Sequence, residues 1–116
     1  MKIEKLEYFW GLFEKPDCAT ASEADSHVIF EVSEVPDDVQ QSFMNERIYE
    51  LQGEFGLPGV GEPEQVDVLK ITAGGKSWET QVLNRAIALF TQDNEAMRRL
   101  HRFFCILNDK VSKKPH

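Results

Sequence analysis

The chain has 116 residues, of which 41% are hydrophobic and 28% are charged, and its formal net charge is −7. This length fits one domain over residues 1–116, and the composition argues against a disordered chain. No apolar run approaches the roughly 20 residues that cross a bilayer, and residues 1–5 lack the apolar segment of a secretory signal, so we expect a cytoplasmic protein that enters no membrane.

Two strands are predicted at the start of the chain. Residues 2–13 fit either a strand or a helix, and their aromatic side chains favour the strand. Pro16 and the small polar residues around it predict a loop over residues 14–26. Apolar and polar residues alternate over residues 27–34, which predicts a second strand.

An acidic helix is predicted after Pro36. Proline is tolerated in the first turn of a helix, and Asp37 and Asp38 suit the positive end of the helix dipole. Apolar residues then recur at spacings of four, three and four, which predicts one helical stripe. Gly53 and Gly56 predict the end of this helix. The stripe consists of Met44, Ile48, Leu51 and Phe55.

A hairpin over residues 66–82 is the clearest element, and a loop over residues 56–65 precedes it. The adjacent Gly74 and Gly75 favour a two-residue turn with positive φ. Val68 falls on the polar face of the hairpin, so we expect that face to be partly covered. The apolar face carries Leu69, Ile71, Trp78, Thr80 and Val82, whereas Lys70 opposes Glu79 and Thr72 opposes Ser77 on the other face.

Two further elements are predicted towards the end of the chain. Residues 82–83 end the strand, and residues 85–90 form a helical turn. A final helix is capped by Thr91 or Asp93, and residues 112–116 form a frayed tail. Its apolar stripe consists of Ala96, Leu100, Phe103 and Leu107, widened by Met97 and Phe104.

The order strand, strand, helix, strand, strand, helix predicts an α+β fold. Two β-hairpins make one antiparallel sheet, and the two helices pack on one of its faces. Charge is divided unevenly between the two halves of this fold. Residues 1–67 hold 16 acidic and 4 basic residues, whereas residues 68–116 hold 4 acidic and 9 basic residues. Such asymmetry can mark an interaction surface, or it can attract one half of the domain to the other, and we expect the second.

The chain carries no motif for catalysis, metal binding or cofactor binding. His27, His101 and His116 have no cysteine or histidine partner at ligand spacing. Cys18 and Cys105 lie far apart and are expected to be free thiols, Cys105 within an apolar helical run. The glycine-rich stretch before the hairpin leads into a strand, whereas a phosphate-binding loop precedes a helix. We therefore expect no enzyme, no metal and no cofactor.

Two groups of residues are candidates for an interaction surface. Three consecutive aromatic residues on a strand require either two covered faces or at least one exposed ring. Exposed rings of this kind are enriched at protein interfaces. Three arginines on the outer side of the last helix could contact phosphates, although the acidic charge of the domain opposes nucleic-acid binding. The candidates are Tyr8, Phe9 and Trp10 on the first strand and Arg98, Arg99 and Arg102 on the last helix.

The stretch from Val28 to Leu107 combines a strand, an acidic helix with a proline near its start, the break Phe-Gly-Leu-Pro at residues 55–58, a hairpin and a final helix rich in arginine and leucine. In this order of elements it resembles the emfourin family of small cytoplasmic inhibitors of thermolysin-like metalloproteases. The resemblance implies a protease-inhibiting role. Residues 8–11 depart from it, because Tyr-Phe-Trp-Gly does not reproduce the glycine-rich turn of that family, and no inhibitory residue is carried over.

The sequence thus predicts a protein-interaction domain that binds a partner or associates with itself. An inhibitor of a metalloprotease is one alternative, and a homodimer with the aromatic strand at its interface is another. A small enzyme with dispersed carboxylates is the rival class. A deep pocket that holds a carboxylate with a perturbed pKa would favour the enzyme, and an exposed aromatic patch would favour binding.

Overall fold

A computed structural model describes residues 2–59, 63–91 and 94–113. These residues form five strands, three α-helices and three short 3-10 turns. The strands are β1 (Ile3–Phe13), β2 (Ser26–Glu31), β3 (Gly53–Gly56), β4 (Glu64–Ala73) and β5 (Lys76–Leu83). The helices are α1 (Asp37–Asn45), α2 (Arg85–Thr91) and α3 (Glu95–Lys113). The 3-10 turns are Pro16–Cys18, Ala21–Glu23 and Ile48–Glu50.

The five strands form one sheet in the order β2-β1-β4-β5-β3. All neighbours pair antiparallel except β3, which runs parallel to β5. The predicted α+β class is confirmed, and β1–β2 and β4–β5 are the two antiparallel pairs that were expected. The predicted element order lacks β3, because Gly53 and Gly56, which bound this four-residue strand, predict the end of a helix instead. It also has two helices, whereas the structure has three among the described residues.

The predicted hairpin register is confirmed pair by pair. Ile71 opposes Trp78, and Lys70 opposes Glu79. Both turn glycines have positive φ, as the two-residue turn requires. The apolar face lies against the helices, where Leu69 and Ile71 are buried and Trp78 is partly buried. Residues that were predicted to form the polar face, Lys70, Ser77 and Glu79, are exposed.

Strand β1 lies in the middle of the sheet, between β2 and β4. The strand predicted over residues 2–13 is confirmed as Ile3–Phe13, and it buries side chains on both of its faces, although Leu12 is exposed. Tyr8 enters the main core between the sheet and the helices, whereas Phe9 enters a second cluster on the opposite face. The second cluster packs against Ala19, Ala21 and Ala24, and it buries Val68 as expected.

The main core is formed by the inner face of the sheet and the apolar stripes of α1 and α3. Helix α3 contributes the predicted stripe, although Ala96 is only partly buried. Helix α1 contributes Phe43, whose ring lies 6.1 Å from that of Trp78. Burial of each such apolar side chain stabilises the fold by about 1.5–3 kcal/mol. The fully buried side chains of the two helices are Val39, Phe43, Met97, Leu100, Phe103, Phe104 and Leu107.

The predicted helical stripe from Met44 to Phe55 is wrong beyond the end of α1. The helix ends at Asn45, and Arg47 adopts a left-handed conformation with φ of 50°. The Arg99 side chain donates to the backbone carbonyls of Glu46 (2.6 Å) and Arg47 (2.7 Å), which replaces hydrogen bonds that a continuing helix would supply. Beyond this break, Ile48 and Leu51 still reach the core, whereas Phe55 lies on β3.

Three smaller boundaries also differ from the predictions. Strand β2 ends at Glu31, where a turn begins, and Val32 is exposed. Helix α3 is capped by Asn94, whose Oδ1 accepts a hydrogen bond from the Met97 amide at 2.9 Å. The predicted cap Thr91 belongs to α2, and the alternative, Asp93, lies outside the described residues. The predicted frayed tail starts inside α3, and its residues 114–116 lie outside the described residues as well.

The two halves of the chain attract one another, as their charges predict. Basic residues of the second half lie within 4 Å of acidic residues of the first half. The Arg102 hydrogen bond lowers the pKa of Glu46, and the Lys110 hydrogen bond lowers the pKa of Asp38. The pairs are Arg85–Asp67, Arg99–Glu50, Arg102–Glu46 and Lys110–Asp38.

Gly56 provides a test of how closely β3 approaches β5. It has φ of +99°, and a Cβ atom there would overlap the backbone of Leu83. Gly53 also has positive φ, +110°, but a Cβ atom there would meet nothing within 4 Å. We expect Gly53→Ala to cost about 1–3 kcal/mol of stability through backbone strain alone. Gly56→Ala should cost a further 1–3 kcal/mol or so, because a packed backbone must move.

The measurement is urea-induced unfolding of both variants beside the wild type, followed by circular dichroism. Equal losses of unfolding free energy in the two variants would contradict the close β3–β5 contact.

Candidate functional site

The aromatic residues proposed as an interaction surface are mostly internal. Tyr8 and Phe9 are buried on opposite faces of β1, and Trp10 is partly buried on the inner face. The expectation that Tyr8 and Phe9 belong to an exposed surface is therefore wrong. The physical reason is that β1 is a central strand with side chains packed on both of its faces.

The three arginines of α3 have different environments. Arg99 is buried, so its expected place on the outer side of the helix is wrong. Its guanidinium binds the carbonyls at the end of α1 and the Glu50 carboxylate, at 2.8 Å. Arg102 contacts both carboxylate oxygens of Glu46 at 2.8 Å, and Arg98 lies 3.2 Å from Glu95. The structure thus engages all three arginines in ion pairs within the chain.

A buried polar cluster that was not predicted from the sequence lies on the inner face of the sheet. The Tyr8 hydroxyl donates a hydrogen bond to Oδ1 of Asp67 at 2.5 Å. Oδ2 of Asp67 lies 3.5 Å from Nε of Arg85, at which distance the two attract as ions without a direct hydrogen bond. The Arg85 guanidinium lies over the Phe104 ring, 4.9 Å from its centroid.

Burial determines the ionisation of this cluster. It raises the pKa of Tyr8, and the neighbouring Asp67 carboxylate raises it further, so the phenol stays protonated and acts as a donor. Burial also raises the pKa of Asp67, against the opposing effects of Arg85 and Tyr8. His101, on the adjacent part of α3, has a lowered pKa because of burial and the charges of Arg85 and Arg102.

The alternation of side chains between the two faces of the hairpin could have revealed that Asp67 is buried. Asp67 lies on the same strand face as Leu69 and Ile71, because the three residues are two positions apart. The register predicted from the turn therefore also places this carboxylate in the core. Its partners could not be read in the same way. The pairing of β1 with β4, and the position of Arg85 at the start of α2, are tertiary features.

An open cleft of about 420 Å³ lies beside this cluster, between the inner face of the sheet and the end of α3. Tyr8, Asp67 and Arg85 form its deepest part, and Arg85 is the most accessible of the three, with 15% of its side chain exposed. The rest of the lining consists of Trp10, Ser26, Gln65, Asn108, Val111 and Ser112.

Helix α2 exposes an apolar surface. Phe90 is 90% exposed, and Ile87, one turn earlier, is 45% exposed. The chain has eight phenylalanines, of which six are buried, Phe55 is partly buried, and Phe90 is the one on the surface. The sequence predicted the helical turn over residues 85–90 but gave no reason to place Phe90 outside the core.

Other chemistry is limited in the part of the chain that is described. Cys105 is an exposed free thiol, whose Sγ lies 3.5 Å from Nε2 of His101. No group of three or more metal-ligating side chains comes together among the described residues. Likewise, none of the described helices has both the length and the apolar character that a bilayer crossing requires.

The Tyr8–Asp67 hydrogen bond should contribute measurably to stability. Tyr8→Phe keeps the ring and removes the donor, so the buried carboxylate loses a partner. We expect a loss of about 1.5–3 kcal/mol, the usual worth of a hydrogen bond to a charged group. Tyr49→Phe is the matched control, because no hydrogen bond of its hydroxyl is found among the described residues.

Urea unfolding of both variants at neutral pH measures the difference. NMR titration of the Asp67 carboxyl provides a second readout, since its pKa should rise further once a hydrogen bond that lowers it is gone. A Tyr8→Phe variant as stable as Tyr49→Phe, with an unchanged Asp67 pKa, would show that the hydrogen bond is unimportant.

Comparison with known proteins provides no relative whose role could be transferred to this chain. No family model, curated protein or solved structure matches it.

Proposed function

We propose that this chain is a protein-interaction domain and that it binds its partner through Ile87 and Phe90 of α2. The observation that carries the proposal is the exposure of Phe90, at 90%, whereas the other phenylalanines of the chain are buried or partly buried. An exposed aromatic ring costs free energy in water, and such rings are enriched among the residues that dominate binding energy at interfaces.

Helix α2 is anchored to the body of the domain at its first turn. Ala88 is fully buried, and Arg85 lies against Asp67 in the core. Asn84, immediately before the helix, donates from its side-chain amide to the Leu57 carbonyl at 2.8 Å and accepts from the Gln65 amide at 3.1 Å. These contacts hold the exposed side chains on a fixed element, which lowers the entropic cost of binding.

The geometry of Asp67 argues against its use as a general base. Asp67 has the raised pKa that the enzyme alternative requires, and it lies beside a cleft. However, its side chain is only 1% exposed, one oxygen accepts the Tyr8 hydrogen bond, and the other faces Arg85. A general base must reach the proton that it removes, so this arrangement is better suited to structural anchoring.

We propose a different protein as the partner, rather than a second copy of this chain. Two identical domains each carry a net charge of −7 and repel one another. A partner with an apolar pocket and a basic rim would accept the Phe90 side chain and be attracted by the acidic domain.

The test compares Phe90→Ser with Leu12→Ser, since Leu12 is also an exposed apolar residue, 58% exposed, but lies on β1. Wild type and both variants are immobilised for capture from the native cells, and their solution masses are measured by light scattering. We expect the wild type and Leu12→Ser to retain the same partner. Phe90→Ser should bind it at least tenfold more weakly, because burial of the Phe90 side chain at the interface contributes about 1.5–3 kcal/mol.

All three proteins should have the same melting temperature, because substitutions at exposed positions change stability little. Equal capture by Phe90→Ser and the wild type would contradict the proposed surface. A wild type that is monomeric and captures no protein would contradict the interaction function, and a dimer that Phe90→Ser dissociates would replace the partner with a second copy.

A narrower form of the proposal is inhibition of a thermolysin-like metalloprotease, the role that the emfourin resemblance implies. It is supported by the order of elements: an acidic helix after Pro36, then the β4–β5 hairpin, then an arginine-rich final helix. Inhibition of a protease is one kind of protein binding, so it would use the same surface on α2.

Hydrolysis of a peptide substrate by a thermolysin-like protease tests this form. We expect the wild-type domain to inhibit hydrolysis, and Phe90→Ser to need at least a tenfold higher concentration for the same effect. Full protease activity in the presence of excess domain would remove the inhibitor role, whereas the capture experiment would still decide the broader proposal.

A further inference from the structure

The cleft between the sheet and the end of α3 has a lining that favours one class of ligand. Its volume of about 420 Å³ is within the range of small-molecule sites, and a single six-membered ring with its substituents fits that space. The cleft lies on the inner face of the sheet and is separate from the exposed side chains of α2, so its role does not depend on the proposed protein partner.

The charges of the deepest part cancel. Asp67 is negative and Arg85 is positive, and the two groups are 3.5 Å apart. An anion drawn to Arg85 would be repelled by Asp67, and a cation drawn to Asp67 would be repelled by Arg85. A neutral ligand avoids both penalties.

Two polar atoms of this pair lack hydrogen-bond partners. Oδ2 of Asp67 and Nε of Arg85 face one another at 3.5 Å as an ion pair, but neither makes a direct hydrogen bond, and both are shielded from solvent. A hydroxyl group donates one hydrogen bond and accepts others, so one ligand hydroxyl could serve both atoms. Arg85 is the member of the pair that a ligand meets first, and a small shift of its long side chain would admit the hydroxyl.

The remaining lining supplies further hydrogen-bonding groups of both kinds. Gln65 and Asn108 carry side-chain amides, and Ser26 and Ser112 carry hydroxyls. The two amides and the Ser26 hydroxyl can donate and accept, and Ser112, whose hydroxyl donates to the Asp109 carbonyl at 2.8 Å, can still accept. This mixture suits a ligand with several hydroxyls around its edge. A wholly apolar ligand would cover these groups without offering them hydrogen bonds, at a cost in free energy.

The cleft also has an apolar wall. Trp10 lies on the inner face of β1, between its strand neighbours Ser26 and Asp67, and Val111 contributes from α3. A partly exposed indole can cover the C–H face of a ring while polar groups bind its edge. From these features together we infer that the cleft binds one neutral polyhydroxylated ring, such as a pyranose sugar unit.

The inference is tested by NMR titration of the ¹⁵N-labelled full chain with D-glucose and with N-acetyl-D-glucosamine. We expect saturable shifts of the Trp10 indole N–H and of the side-chain amides of Gln65 and Asn108. Asn108→Ala, on the half-buried side of a long helix, should weaken the affinity at least fivefold and leave the spectrum otherwise folded. Thr72→Ala, on the opposite face of the sheet, is the control and should bind like the wild type.

Sodium phosphate and tetramethylammonium chloride serve as charged probes of the same cleft. Absence of saturable shifts with either sugar overturns the inference. Saturable binding of phosphate or tetramethylammonium at these residues, without sugar binding, also overturns it, because the charges would then not cancel. Sugar binding that Asn108→Ala leaves unchanged would place the site elsewhere and equally contradict the proposal.

Discussion

The packing of β1 on both of its faces is the constraint that shapes the rest of the domain. As the first strand of the chain and a middle strand of the sheet, it must present apolar side chains in both directions. Its inner side chains, Leu6 and Tyr8, contact the core beneath the helices, and its outer side chains, Phe9 and Phe13, require a separate cover. The segment between β1 and β2 supplies that cover with three alanines, so the domain has two cores on a single sheet.

Strand β1 also positions the buried polar cluster of Tyr8, Asp67 and Arg85. Tyr8 reaches Asp67 because β1 and β4 are neighbours, and Trp10 lies directly opposite Asp67 in their register. Asp67 in turn faces Arg85, the first residue of α2. Burial of such a pair gains little net free energy over apolar residues, but loss of one member would leave a charge without a partner in the core. The pair therefore holds Arg85, the first residue of α2, against the sheet.

The local features of this fold could be predicted from the sequence, whereas the features that depend on distant segments could not. The hairpin register followed from Gly74-Gly75 together with the alternation of its strands, and the final helix followed from its apolar stripe. By contrast, the spacing from Met44 to Phe55 matched a helix although Arg47 interrupts it. That interruption is stabilised by Arg99, more than fifty residues later, so no local pattern could show it.

The middle position of the N-terminal strand also bears on how the chain folds during synthesis. Strand β1 is synthesised before its partner β4, which lies about sixty residues further along the chain. Until β4 has been made, the hydrogen-bonding edge and the aromatic rings of β1 have no lasting cover on that side, and such surfaces promote aggregation. The nascent chain therefore has to keep this aromatic strand protected, by the early pairing with β2 or by a chaperone, until β4 has been synthesised.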